Sequence, residues 1–456
     1  VPGPTEFSWD RFTVGLTWSY CLLVSGLSVG VVLGELREEL GLSGVVAALH
    51  GSWFGIFLIV LGAVALPAVR RVGRERAFWG SMAAITLGVA VLCAGRSWPV
   101  TLTGTAIAGA ACALLVFLMP GIVADHHGSG RATAFAAINA WPGLAGITIS
   151  LVIGGVLAAA WSWRLPYLAI AIAFAAAVFV TLRREPFPIE SLAVESLAVE
   201  SLAVESLAVE SLAVESLAVE SLAEAERGSP SDDAPAALGL LRRREVFVPW
   251  AATVLAVMSE FPIGIWLVVY LKEVGGATSG IAAMLGSVWG LSLFASRLAM
   301  PRLVRVAGDA SRAVCYGLVL VGAVVLWVGP TLPIRTAGAA LAAFGCGPLY
   351  PLSIDRLYAR SGADTVALGA IGALASGVGV TTGPLLVGVL ADVVGLRHAI
   401  LVAAGLAFAG IVTTWPRSTP PRLETGISSP LGGAPRSIER AADCGGDPRP
   451  VRGRAG

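Results

Sequence analysis

The sequence predicts an all-α integral membrane protein whose twelve transmembrane helices form two pseudo-symmetric six-helix bundles. Three observations carry that reading. Hydrophobic residues make up 56% of the chain and charged residues 13%, about half the roughly 25% usual in soluble domains, and the mean hydropathy is +0.80. Apolar runs close to the ~20 residues that a helix needs to cross hydrocarbon recur on both sides of a polar insert, Arg183 to Arg244. Short motifs also recur in order between the two apolar blocks.

In the first block the runs are Phe12–Gly34, Val45–Val69, Ala77–Gly95, Val100–Ala124, Ala132–Ala160 and Leu165–Leu182, spans 1 to 6. In the second they are Val246–Leu271, Ile281–Met300, Ala313–Val328, Thr336–Ile354, Val366–Ala391 and His398–Trp415, spans 7 to 12. The first run is too long and too poorly flanked for a cleavable signal peptide and is read as span 1. Span 5 is long enough to tilt, or to break at Pro142. The organisation expected is an N-terminus (1–11), a bundle (12–182), a linker (183–245), a second bundle (246–415) and a disordered Pro/Gly/Arg-rich tail (416–456).

The linker carries six identical copies of Glu-Ser-Leu-Ala-Val, Glu190 to Val219, and a decayed seventh ending at Glu224. A five-residue step turns a helix by about 140° from the 3.6-residue period, so the glutamates wind round every face and leave no apolar stripe. That excludes a further span and, for want of a seven-residue period, a coiled coil. A partly helical tether grown by tandem duplication is expected, with a docking segment as the alternative.

Arginine orients the chain. Arg70, Arg71, Arg74 and Arg76 follow span 2, and Arg302, Arg305 and Arg312 follow span 8. Arg183, Arg184, Arg227 and Arg242 to Arg244 lie in the linker, whereas the opposite loops carry Arg37, Arg96, Arg164, Lys272, Arg335 and Arg397, about one each. Positive residues concentrate on the cytoplasmic side, so both termini are expected there. Trp98, Trp161 and Trp163 are expected to form an interfacial belt at the other side. Thirty arginines against the single Lys272 suit a GC-rich bacterial genome and hence a bacterial cytoplasmic membrane.

The longer repeat is more informative. Gly51-x-x-x-Gly55 recurs as Gly286-x-x-x-Gly290, and Pro67-Ala-Val-Arg-Arg71-Val-Gly73 recurs as Pro301-Arg-Leu-Val-Arg305-Val-Ala-Gly308. Gly155-Val-Leu-Ala with Arg164 recurs as Gly388-Val-Leu-Ala with Arg397, and Ser129-Gly130 as Ser361-Gly362, all at offsets of about 232 to 236. Several matches at one offset indicate duplication of a six-span unit. Two such halves, a long central loop and a basic, Gly-containing turn after spans 2 and 8 resemble the major facilitator superfamily over about residues 10–416. Arg71, Gly73 and Arg74 match the latter half of that family's loop signature, while Arg70 stands where the family has Asp. In the second copy Arg305 and Gly308 remain, with Val304 at the Asp position. The resemblance implies that Arg70, Arg71, Gly73, Arg74, Arg305 and Gly308 form cytoplasmic gate loops. The sub-branch it is most similar to, through Glu35 to Gly44 and Arg70 to Arg76, is the cyanate/nitroimidazole type.

In such a fold the solute site lies near midplane between the halves. Intramembrane ionisable or broken positions are therefore the candidates. Glu260 stands mid-span before Phe261-Pro262-Ile-Gly264, where Pro262 can open the helix, and a carboxyl there suits proton coupling. His50 in span 2 is a candidate gate or proton carrier, against a packing role. Asn139, beside Trp141-Pro142-Gly143, is a candidate cavity residue. Trp18, Tyr20, Trp53, Trp141, Trp266, Trp289 and Tyr350 are candidate aromatic walls, against packing or belt roles. Asp125-His126-His127 lacks further ligands at zinc spacing, so no metal is expected, and Asp355-Arg356 at the equivalent end of span 10 suggests salt bridges to the turns.

Neither a nucleophile-elbow nor a Walker A sequence is present, which argues against an enzyme and an ATP-driven pump. The net charge of +1 resides in loops, without the basic patch that nucleic acid requires. A secondary transporter of a small organic solute is expected: monomeric, in a lipid bilayer, without cofactor and coupled to protons. The alternatives are a transport-inactive sensor or scaffold and an anion carrier. With Arg297 placed towards the cytoplasmic end of span 8 and no arginine mid-span, a neutral or cationic, partly aromatic solute is expected.

Overall fold

A computed structural model of the chain describes residues 8–187, 239–361 and 365–414. The expected partly helical repeat tract and disordered tail lie outside the described residues. Among those described, every regular element is helical. Eleven continuous stretches are long and apolar enough to cross a membrane, and one of them, Ser279–Val328, turns back at Gly308–Ala310 and supplies two spans.

Local sequence sets the ends of these helices. Asp10 caps span 1 by accepting the Thr13 N–H at 2.8 Å, Ser43 caps span 2 and Thr278 caps span 8, each satisfying an N–H that the helix leaves unpaired. Gly73, between spans 2 and 3, has φ +89°, a conformation that a side chain resists.

The spans break elsewhere than expected. Span 5 is one helix, Arg131–Ala158, through Pro142, and span 7 is one helix, Arg244–Glu273, through Pro262. Among the described residues the interruptions are in span 1 at Ser28, between Arg11–Leu27 and Val29–Leu40, in span 12 at Ile400, between Leu396–Ala399 and Leu401–Thr414, and in span 10 between Leu332–Cys346 and Leu349–Ser361. At the break in span 10 a Cβ on Gly347 would meet the Ser296 Oγ at 1.9 Å, so only glycine lets span 10 lie this close to span 8.

The duplication is written into the packing. Gly88 of span 3 and Gly104 of span 4 sit backbone against backbone, as do Gly322 and Gly338 of spans 9 and 10, in each case 234 residues further on. Between the halves, span 2 packs on span 11 and span 8 on span 5. Gly44 faces Gly388 in the first crossing, and Gly280 faces Gly154 in the second. Small residues at such crossings let helix backbones approach where lipid offers no hydrophobic drive.

Charged residues join the halves at the end opposite the arginine-rich turns. Arg37 donates to both Glu273 oxygens at 2.6 and 2.7 Å. Lys272 bridges Glu35, at 2.6 Å, and Glu38. The Asp392 carboxylate accepts the Gly44 N–H at 2.5 Å and the Val45 N–H at 3.1 Å, capping span 2 from the other half. Trp161 and Trp98 are exposed at this end, but Trp163 is 3% exposed beneath the Arg164 guanidinium and is not a belt residue.

Candidate functional site

A cavity of about 820 Å³ lies between the halves, walled by spans 1, 2, 4 and 5 on one side and 7, 8, 10 and 11 on the other. Its lining runs from Val31, Val268 and Gly286, in the parts of their spans away from the arginine-rich end, to Thr133 and Pro301 towards that end. The crossings at Gly44/Gly388 and Gly154/Gly280 close the other end.

The wall is mostly apolar and aromatic, with Tyr20, Phe54, Phe261, Trp289, Phe294 and Tyr350, interrupted by small hydroxyls such as Ser28, Ser150 and Ser287. Gly264 matters locally, because a Cβ there would come within 3.0 Å of the Trp289 indole nitrogen; its absence lets the ring lie against span 7. The Tyr350 hydroxyl accepts a hydrogen bond from Ser376 at 3.2 Å, which fixes the phenol across the wall. Asn139 lines the cavity and donates to the Phe135 carbonyl at 3.0 Å.

Glu260 and Arg297 are the two charged side chains among the lining residues. Arg297 is the charge that Glu260 feels through space, yet the two do not approach to ion-pair distance. Arg297 lies on the arginine-rich side of the middle of span 8, as expected, but deeper in the helix than the apolar run suggests. Span 8 runs on to Ala307, not Met300, which leaves ten residues, about 15 Å of helix, between Arg297 and the end. The apolar count stopped at Pro301, a residue that span 8 carries within its helix, and so the arginine seemed too shallow.

Of the candidates, Glu260, Asn139, Tyr20, Trp289 and Tyr350 are brought together on the cavity wall. His50, Trp18, Trp53, Trp141 and Trp266 are not among its lining residues. His50 is buried inside the first half, with Nδ1 2.8 Å from the Val46 carbonyl and Nε2 3.0 Å from the Thr101 hydroxyl; a ring carrying one proton satisfies both. Trp266 is fully buried and donates to the Pro384 carbonyl at 3.1 Å. Trp53 stacks beside Phe57, while Trp18 and Trp141 are exposed beside Phe174 and Trp9.

At the loop motif, Arg74 is buried and paired with Asp125, and Arg70, Arg71 and Arg305 are exposed. Gly308, like Gly73, has a positive φ, here +50°. His126 meets Asp10 at 2.7 Å and His127 meets the Thr13 hydroxyl at 2.9 Å, so this cluster ties span 4 to the start of span 1. Arg356 pairs with Asp309 at 3.2 Å in the second half. Phe54, Phe261 and Phe294 were missed. Nothing in an apolar run distinguishes a phenylalanine facing a cavity from one facing lipid or core.

Two helical bundles around a central cavity are the architecture of a membrane carrier. The chain belongs to the Major Facilitator Superfamily, whose sequence profile matches residues 13–369. Among solved structures it resembles the nucleoside transporter NupG, at 15% identity and a TM-score of 0.65, over 89% of this chain and 99% of that one. A mutant of NupG gives 14% identity and 0.66, over 88% and 98%. No curated protein matches it in sequence.

Proposed function

We propose that this secondary transporter moves a small organic solute across the bacterial cytoplasmic membrane by alternating access, coupled to protons through Glu260. The observation that carries the coupling is a carboxylate on the wall of the central cavity, without a hydrogen bond or ion pair to any described residue. Intramembrane acids of this kind mark ion and proton paths. By the arginine bias of the loops, both termini and the cavity's open end face the cytoplasm. The chain acts as a monomer, since each chain carries both walls of the site. The NupG structures support the fold; at 14–15% identity they do not extend a nucleoside to this chain.

The test is uptake into proteoliposomes under an imposed pH gradient. Wild-type protein is expected to accumulate solute against its concentration gradient, and Glu260→Gln to exchange solute without accumulating it. Accumulation unchanged in Glu260→Gln excludes the coupling role. No flux of any kind in wild-type protein favours the sensor or scaffold reading.

A further inference from the structure

Arg297 is exposed to the cavity and forms no ion pair or hydrogen bond with a described residue. A guanidinium does not lose its charge, and its forked N–H donors match the two oxygens of a carboxylate. No described residue accepts from its donors, which leaves them to water or to a bound anion. Glu260 decides when an anion is welcome. Ionised, it balances Arg297 through space and repels a second carboxylate; protonated, it leaves the site with one positive charge. The groups that face Glu260 from neighbouring helices are Arg297 of span 8 and the Cys346 thiol of span 10, and the first half contributes no charged side chain to the lining.

We infer that the cavity binds a small organic monocarboxylate, its carboxylate on Arg297 and its apolar body against Phe54, Phe261, Trp289 and Phe294, together with one proton on Glu260. Proton and anion then cross as a pair, with no net charge moved and no bond made other than O–H. The aromatic wall sets the class as an anion with a flat or branched hydrocarbon body, since a small inorganic anion would leave it unfilled. This inference rests on the transporter reading above and replaces the neutral or cationic solute expected from the sequence.

The experiment measures thermal unfolding of the purified protein with benzoate, phenylacetate, hexanoate and 4-methylvalerate, each beside its uncharged amide, and with zwitterionic phenylalanine. At least one carboxylate is expected to raise the unfolding midpoint by mass action where its amide does not. Arg297→Gln is expected to weaken that carboxylate about tenfold or more, and Arg297→Lys by less, because charge remains without the fork. In wild-type protein binding is expected to weaken as pH rises, and in Glu260→Gln to be independent of pH. The inference is overturned if no carboxylate outdoes its amide, if Arg297→Gln binds as well as wild type, or if phenylalanine binds best. Uptake into proteoliposomes separates the two readings. A carboxylate bound through Arg297 but never carried sinks the transporter and keeps the site; an amide carried under a pH gradient does the reverse.

Discussion

Arg164 is 7% exposed, and its guanidinium donates to the Cys93 carbonyl at 3.0 Å, the Gly95 carbonyl at 3.1 Å and the Glu39 carboxylate at 2.5 Å. Arg164→Ala leaves two carbonyls and a carboxylate short of donors. A loss of about 2–4 kcal/mol is expected, measurable as a lower unfolding midpoint in detergent, with Arg164→Lys intermediate. Asp10, at the other end of the first half, works through a charge that can be titrated. Partial burial pushes its carboxyl up, but the Thr13 N–H, His126 and the Thr13 hydroxyl outweigh that and hold it below the ordinary value of 3.8. The cap therefore stabilises the fold fully above that value, and the contribution is lost as pH falls through the lower folded-state value. Asp10→Asn is expected to flatten the acid limb of stability, and an unchanged acid limb contradicts the role. Arg164 does not announce itself in sequence, because partners 71 and 125 positions away leave no local pattern, and of the partners of Asp10 only Thr13 is local, His126 lying 116 positions on.

The helix crossings set how closely the two halves can approach. A Cβ on Gly388 would lie 2.5 Å from the Gly44 carbonyl oxygen, and one on Gly44 would lie 2.3 Å from that of Gly388. Gly388→Val is expected to prevent closure at the Asp392 end and favour the state open there. A cysteine at the cavity position Ser287 then becomes labelled by an impermeant thiol reagent from the Asp392 side of the membrane. Gly317→Ala is the control, since nothing lies within 4 Å of its Cβ position. Asp392 itself follows Gly388-Val-Leu-Ala where the first copy has Ala159, so the copies diverge at one of the two equivalent crossings. Asp392→Ala, which removes a carboxylate from the start of span 2, is expected to shift labelling in the same direction as Gly388→Val. Helix existence was legible from apolar length. Helix breaks were only partly legible: proline at 142 and 262 is tolerated inside long spans whose neighbours absorb the lost hydrogen bond, Ser28 is an ordinary residue in sequence, and Gly347-Pro348 is a breaker pair that the apolar run hides.

At the scale of the molecule, the duplication read from short motifs pointed to a candidate site between two halves, where the structure has a cavity, and Glu260 was visible as an acid in an apolar run. The depth of Arg297 was not, since it depends on where a helix ends past a proline and on which end of the cavity is open. The halves are expected to rock about the cavity, opening its two ends in turn. Paired spin labels test it, one pair at Val72 and Val306 across the arginine-rich end and the other at Trp161 and Val393 across the opposite end, all exposed positions, while the five described native cysteines are buried. Distances measured across a range of pH, with and without a transported solute, are expected to show two populations, the first pair shortening as the second lengthens. A single fixed distance for both pairs, in protein that still transports, contradicts the account.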